Sequence, residues 1–137
     1  MKSLFAVLLC IFVLISVLSG QNAAEKAATD AANHWLAVVD AGDYAASWQA
    51  AAPAFKAAVA KDQWARALRA TRSPLGKVLS RTVKSAKYTT SLPGAPDGKY
   101  VVIQYESSFE HKQSAIETVT PTLGEDGQWK VSGYFIR

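Results

Sequence analysis

The sequence predicts an α+β domain in which three N-terminal helices pack on a curved four-stranded antiparallel meander. Three observations carry that expectation. Apolar side chains recur at helical spacing up to about residue 72, the period turns to alternation after Pro74-Leu75-Gly76, and the four alternating runs that follow have connections too short to hold a helix. Strands joined this way run antiparallel. With 137 residues, half of them hydrophobic, the chain has room for one modest core and little scope for disorder.

The first twenty residues have the pattern of a secretory leader: Met1-Lys2 supplies the positive end, Leu4 to Leu18 is apolar except for Ser16, and Ser19-Gly20 is small. Cleavage is expected near Gly20 or within Gln21 to Ala24, leaving a single domain over residues 21–137 in the periplasm or outside the cell, with no stable membrane anchor. Cys10 is the only cysteine and lies inside the leader, too early for lipid attachment. The processed chain then has no cysteine, which excludes disulfides, thiol catalysis and cysteine-held metal.

Ala24, Ala27, Ala28, Ala31, Trp35, Val38 and Val39 keep helical spacing, and Gly42 stands where a left-handed residue ends the helix. Asp43 is placed to cap a second helix carrying Tyr44 and Trp48 on one face. Pro53 starts a helical turn over Ala54 to Ala60, and Asp62 is placed to cap a third helix with Trp64, Leu68 and Thr71 on its apolar side. The expected strands are Val78 to Leu92, Lys99 to Phe109, Ser114 to Leu123 and Gln128 to Ile136. Gly-, Pro- and Asp-rich loops at 93–98 and 124–127 separate them. Strands of about ten residues should twist and curl around the helices into a half-open cone.

The formal charge of +4 falls by one with Lys2, too little for a claim about polyanions. Its distribution is uneven: between Lys56 and Lys87 nine basic residues stand against the single acid Asp62. A solvated basic face is the simpler reading, and a patch for anionic envelope surfaces the alternative. Nucleic acid is not an expected partner, since the leader removes the chain from it and no binding motif is present.

His-Trp-Leu-Ala-Val-Val-Asp-Ala-Gly-Asp-Tyr-Ala-Ala-Ser-Trp at 34–48, Arg-Ser-Pro-Leu-Gly at 72–76 and Trp-Lys-Val-Ser-Gly-Tyr-Phe-Ile-Arg at 129–137 resemble a bacterial family of exported domains. That family is catalogued only as a domain of unknown function, number 4019. The helices-then-four-strands order also resembles the cystatin-like, or nuclear-transport-factor-two-like, cone superfamily. The resemblance implies a fold and an exported location, with no activity attached. Some cone proteins are cofactor-free enzymes using a pocket carboxylate, and others bind ligands or dimerise.

Strand alternation limits where such a carboxylate could be. Val101, Ile103, Tyr105, Ser107 and Phe109 form the inward face of the second strand, which sends Glu106 outward. In the last strand Trp129, Val131, Gly133 and Phe135 are expected inward, with Lys130, Ser132 and Tyr134 outside. The third strand has two phases: Glu117 faces in with Val119 and Leu123, or the row Thr118, Thr120 and Thr122 does. Glu117 is thus a candidate general base, with an edge residue paired to a lysine as the simpler reading. Asp40 is the second candidate, and helix capping and solvation account for it without catalysis. His34 and His111 lack ligand spacing, so neither a metal nor a cofactor is expected. Trp35, Trp48, Trp64 and Trp129 are read first as core. A small apolar ligand is expected inside the cone at Trp48, Tyr105 and Ser107, and a homodimer through the sheet is the other partner considered. The sequence therefore favours a non-catalytic binding or interaction module, with a cofactor-free lyase or isomerase using Glu117 or Asp40 as the alternative.

Overall fold

Gly42 sets the first boundary of the fold. Its φ of 79° is a left-handed conformation, and the Gly42 and Asp43 amides donate to the Val39 and Val38 carbonyls, a Schellman closure that turns the chain sharply. The computed structural model describes the backbone of residues 2–137 and the side chains from Val17 onward. Its helices are α1 (Lys2–Asp40), α2 (Tyr44–Gln49), α3 (Pro53–Ala58) and α4 (Lys61–Arg72), the last followed by a 3₁₀ turn at Ser73–Leu75. The strands are β1 (Val78–Thr89), β2 (Tyr100–Phe109), β3 (Lys112–Leu123) and β4 (Trp129–Ile136), in the order β1-β2-β3-β4 with every pairing antiparallel. The expected leader with its Cys10 falls almost wholly on residues whose side chains lie outside this description.

The α+β class and the meander are as predicted, and the helical part differs in detail. The turn after Pro53 is a separate helix, with proline at the position where its missing amide costs nothing. Asp43 caps α2 by accepting from the Ala46 amide. Asp62 does not cap α4: the cap position is Ala60, and Asp62 sits in the first turn, where its charge suits the helix dipole. On α1 the buried stripe is Ala28, Ala32, Trp35, Leu36 and Val39, so Ala27 is exposed rather than inward.

α1 crosses one face of the sheet and touches all four strands. Its stripe meets Val101, Ile103, Tyr105, Val119 and Val131 in a core that Trp64 and Leu68 of α4 complete. Three indoles in this part of the chain need acceptors, because a buried donor without one costs free energy. Trp35 Nε1 donates to the Ser47 carbonyl and Trp64 Nε1 to Ser47 Oγ, which itself donates to the Tyr44 carbonyl at 2.6 Å. Trp48 Nε1 reaches the Val59 carbonyl at 2.7 Å. Ser47, fully buried, is thus the polar centre of an aromatic cluster joining α1, α2 and α4.

One strand departs from the expected alternation. Pro121 pairs with Val131 but Thr120 pairs with Gly133, so Ser132 and Gly133 together oppose one residue of β3. This bulge reverses the phase of β4. Val131 points inward as expected, yet Tyr134 packs against the core and Phe135 is exposed, the reverse of the expectation.

Ser47→Ala leaves the buried Trp64 indole without its acceptor and should destabilise the domain by about 1–3 kcal/mol. Urea unfolding followed by tryptophan emission checks it, and an unchanged midpoint would contradict the role given to Ser47.

Candidate functional site

Glu117 faces inward from β3, in phase with Ala115, Val119 and Pro121, and is completely buried. The edge position and lysine partner expected for it are both incorrect, because β3 lies inside the sheet and the partner is an arginine. Arg81 of β1 donates from Nε to Oε1 at 2.7 Å and from Nη2 to Oε2 at 3.2 Å. Ser107 of β2 donates to Oε1 at 2.6 Å, and Tyr134 of β4 donates to Oε2 at 2.5 Å. Each carboxylate oxygen thus takes two hydrogen bonds, which fills its acceptor capacity.

Arg81 forks in a second direction. Nη1 and Nη2 reach the two carboxylate oxygens of Asp40 at 2.7 and 3.0 Å. Arg72 of α4 donates from Nη2 to Asp40 at 2.8 Å and lies over the Phe109 ring, 4.9 Å from its centroid, a cation–π contact. Asp40 is the last residue of α1, where a negative charge opposes the helix dipole, and α1 has no basic residue in its last turn. Two arginines from other elements supply the missing positive charge. Asp40 is therefore more than a solvated turn residue.

Burial works against ionisation of Asp40, but hydrogen bonds and charge from Arg81 and Arg72 outweigh it and hold its pKa below the usual 3.8. Burial likewise opposes the charges on Arg81 and Arg72, and their carboxylate partners raise both nonetheless. Tyr134 is pushed upward, first by burial and then by Glu117. Tyr105 is pushed up to about 12, mainly by burial, and donates to Asn33 Oδ1 of α1 at 2.8 Å.

Of the residues expected to form a ligand site, Ser107 joins Glu117, Tyr105 joins α1, and Trp48 stands with Val59 and Lys56 on the helical side. His34 is exposed, with Nδ1 2.8 Å from the Asp30 carbonyl oxygen, and His111 is exposed in the β2–β3 turn. Glu106 faces outward with Lys84 at 3.7 Å. Among the described residues no group of acids and histidines is placed to hold a metal. Sequence reasoning missed Arg72, Arg81 and Tyr134: the arginines were hidden in a basic segment, and Gly133, a residue that inside a strand often marks a bulge, was the available signal for Tyr134.

Among the described residues, three of the cavities on the surface lie away from this network. The first, about 440 Å³, lies between residues 17–27 of α1 and the sheet rim, against Tyr88, Lys99, Leu123 and Trp129. A second of about 350 Å³ lies beside the β3–β4 turn and has Glu125, Asp126 and Lys130 on its rim. A third of about 230 Å³ runs between α4 and β4.

Residues 31–134, which include every member of the buried network, match a protein family described as a protein of unknown function, DUF4019. The chain belongs to that family. No curated protein matches it. As a member of DUF4019, the chain carries its buried network and most of its core within the span that defines the family, and the helix N-terminal to residue 31 outside it.

Removing one partner of a buried ion pair costs about 3–5 kcal/mol. Glu117→Gln should therefore lower stability by that amount, read as a shift of the urea midpoint, because Arg81 keeps its charge and loses a carboxylate. Asp40 gives a pH signature. Its pKa is lowered on folding, so its contribution is complete above about 3.8 and disappears as pH falls through the folded value. The stability gap between the natural chain and Asp40→Asn should be constant at pH 5 to 7 and close towards pH 2. A gap independent of pH would disprove the ionic role of Asp40.

Proposed function

We propose that this protein is an exported, non-catalytic small-ligand-binding module of the nuclear-transport-factor-two-like kind. The observation that carries the reading is the state of Glu117. A general base needs an open lone pair and access to substrate, and all four acceptor positions of Glu117 are taken while its solvent exposure is 0%. Asp40 is partly accessible, but its lowered pKa makes it a weak proton acceptor near neutrality. The carboxylates that made an isomerase or lyase conceivable serve the fold.

The basic segment supports an envelope-binding role less than its composition suggests. Arg72 and Arg81 are consumed inside the domain, Lys84 faces Glu106 and Lys56 lies over Trp48. Export is supported by the charged, apolar and small regions in succession over residues 1–20. Among the described residues no helix is long and apolar enough to cross a membrane.

Native mass spectrometry of the protein purified gently from its own host, before and after denaturation, tests the reading. A small mass released on denaturation is expected, and Glu117→Gln, where it folds, should carry the same mass. A chain free of any ligand, or loss of the ligand on that single substitution, would contradict it.

A further inference from the structure

The groove between α1 and the sheet rim has a chemistry that selects its ligand. One wall is α1, which contributes Val17, Gly20, Gln21, Ala23, Ala24 and Ala27; the other is built from Tyr88 of β1, Leu123 of β3 and Trp129 of β4, with Lys99 just before β2. Small side chains on the helix leave the space, and the aromatic and aliphatic wall gives it an apolar surface. With Val17 and Gly20 in its wall the groove has a volume of about 440 Å³, in the range of small-molecule sites.

The polar groups on this lining are mostly donors. Lys99 forms no ion pair among the described residues, and neither the Tyr88 hydroxyl nor Trp129 Nε1 is hydrogen-bonded there. Glu25, the acid of α1 closest in sequence to the lining alanines, is engaged at the Tyr88 amide at 3.2 Å, and no carboxylate lines the groove. By contrast, the cavity beside the β3–β4 turn has both signs of charge on its rim, with Lys130 3.9 Å from Asp126, and the one along β4 has no charged lining residue.

We infer that this groove binds an anionic single-chain amphiphile, its aliphatic chain between α1 and the Leu123–Trp129 wall and its anionic head at Lys99. The inference rests on the binding-module reading and names the ligand class and the site. The largely apolar walls favour an apolar body, since their few polar groups replace little of the hydration of a polar one. A cation at the rim with no internal partner favours a negative head group and rejects a positive one. A cut at Gly20 removes Val17 and Gly20 from the lining, and one as late as Ala24 leaves Ala27 and the sheet wall of Tyr88, Lys99, Leu123 and Trp129.

Titration with dodecanoate, dodecanol and dodecyltrimethylammonium, each below its micelle concentration, tests this through the tryptophan emission of the processed protein. Dodecanoate should give a saturable change that Trp129→Phe removes, and should bind more tightly than dodecanol, with the cationic amphiphile weakest. Lys99→Glu should weaken dodecanoate binding about fivefold or more and favour the cation, as expected for a surface charge contact. Ala27→Leu, at an exposed helical position, should fill the groove and abolish the response without unfolding the chain. Equal affinity for all three amphiphiles would overturn the head-group assignment, and an unchanged response in Ala27→Leu would overturn the groove. A ligand from the host retained by Ala27→Leu would leave the binding-module reading intact and move the site elsewhere.

Discussion

The buried carboxylate of Glu117 is the constraint around which the closed end of the domain is arranged. An ion removed from water is tolerated only when its partners replace hydration almost completely, and Glu117 draws them from β1, β2 and β4 at once. Arg81 then passes the demand on, since its own charge is also largely buried and needs Asp40, which in turn takes Arg72. The alternating charges link α1, α4, β1 and β3, and the Ser107 and Tyr134 hydroxyls bring in β2 and β4. Such a network adds little net stability over well-packed apolar residues. What it adds here is register. β1 is irregular on both sides of Arg81, with shifts between Val78 and Ser80 and between Val83 and Ser85. A slip of one residue would turn Arg81 to the outer face and strand Glu117 without its charge partner.

How far the sequence disclosed this follows from what each signal depends on. The strands were legible because alternation and glycine turns are local, and the inward row of β2 from Val101 to Phe109 is buried throughout. Glu117 was legible as one of two phases of β3, and the choice needed only the burial of its neighbours. Tyr134 was not, because one extra residue at Ser132-Gly133 reverses the alternation, and a bulge is fixed by pairing with another strand. Arg72 and Arg81 looked like members of a solvated basic run, since partners 32 and 36 residues away leave no local trace. Ser47 was missed for the same reason: what marks it is the arrival of two indoles from other helices.

Lys84 and Lys87 have a physical use that composition alone obscures. β1 is an edge strand of 12 residues with Leu79 and Val83 exposed, the kind of surface on which sheets of separate molecules pair. Lys84 and Lys87 stand on that edge and the two register shifts distort it. Charge and irregularity both discourage a second copy from adding its own β1, and like charges would meet across such a pairing. Within the basic segment, Arg72 and Arg81 compensate buried acids, and Lys84 and Lys87 put charge on the edge strand.

Helix α1 connects the two ends of this arrangement. Its C-terminal turn, at Asp40, enters the charge network, while Ala24 and Ala27 face the groove some 13 to 16 residues earlier, about 20 Å away at 1.5 Å per residue. The two ends differ in what they can give up. At the network end every acceptor on Glu117 is satisfied, although Arg72 keeps Nε and Nη1 buried without a hydrogen-bond partner among the described residues. At the groove end Lys99 and the walls around it are still exposed to water, so a ligand gains contacts without breaking any that hold the fold. Under the binding-module proposal, a ligand in the groove leaves the bonds of the charge network intact. One small core thus combines a network that ties six elements together with a rim where α1 lines the groove mostly with alanine and glycine.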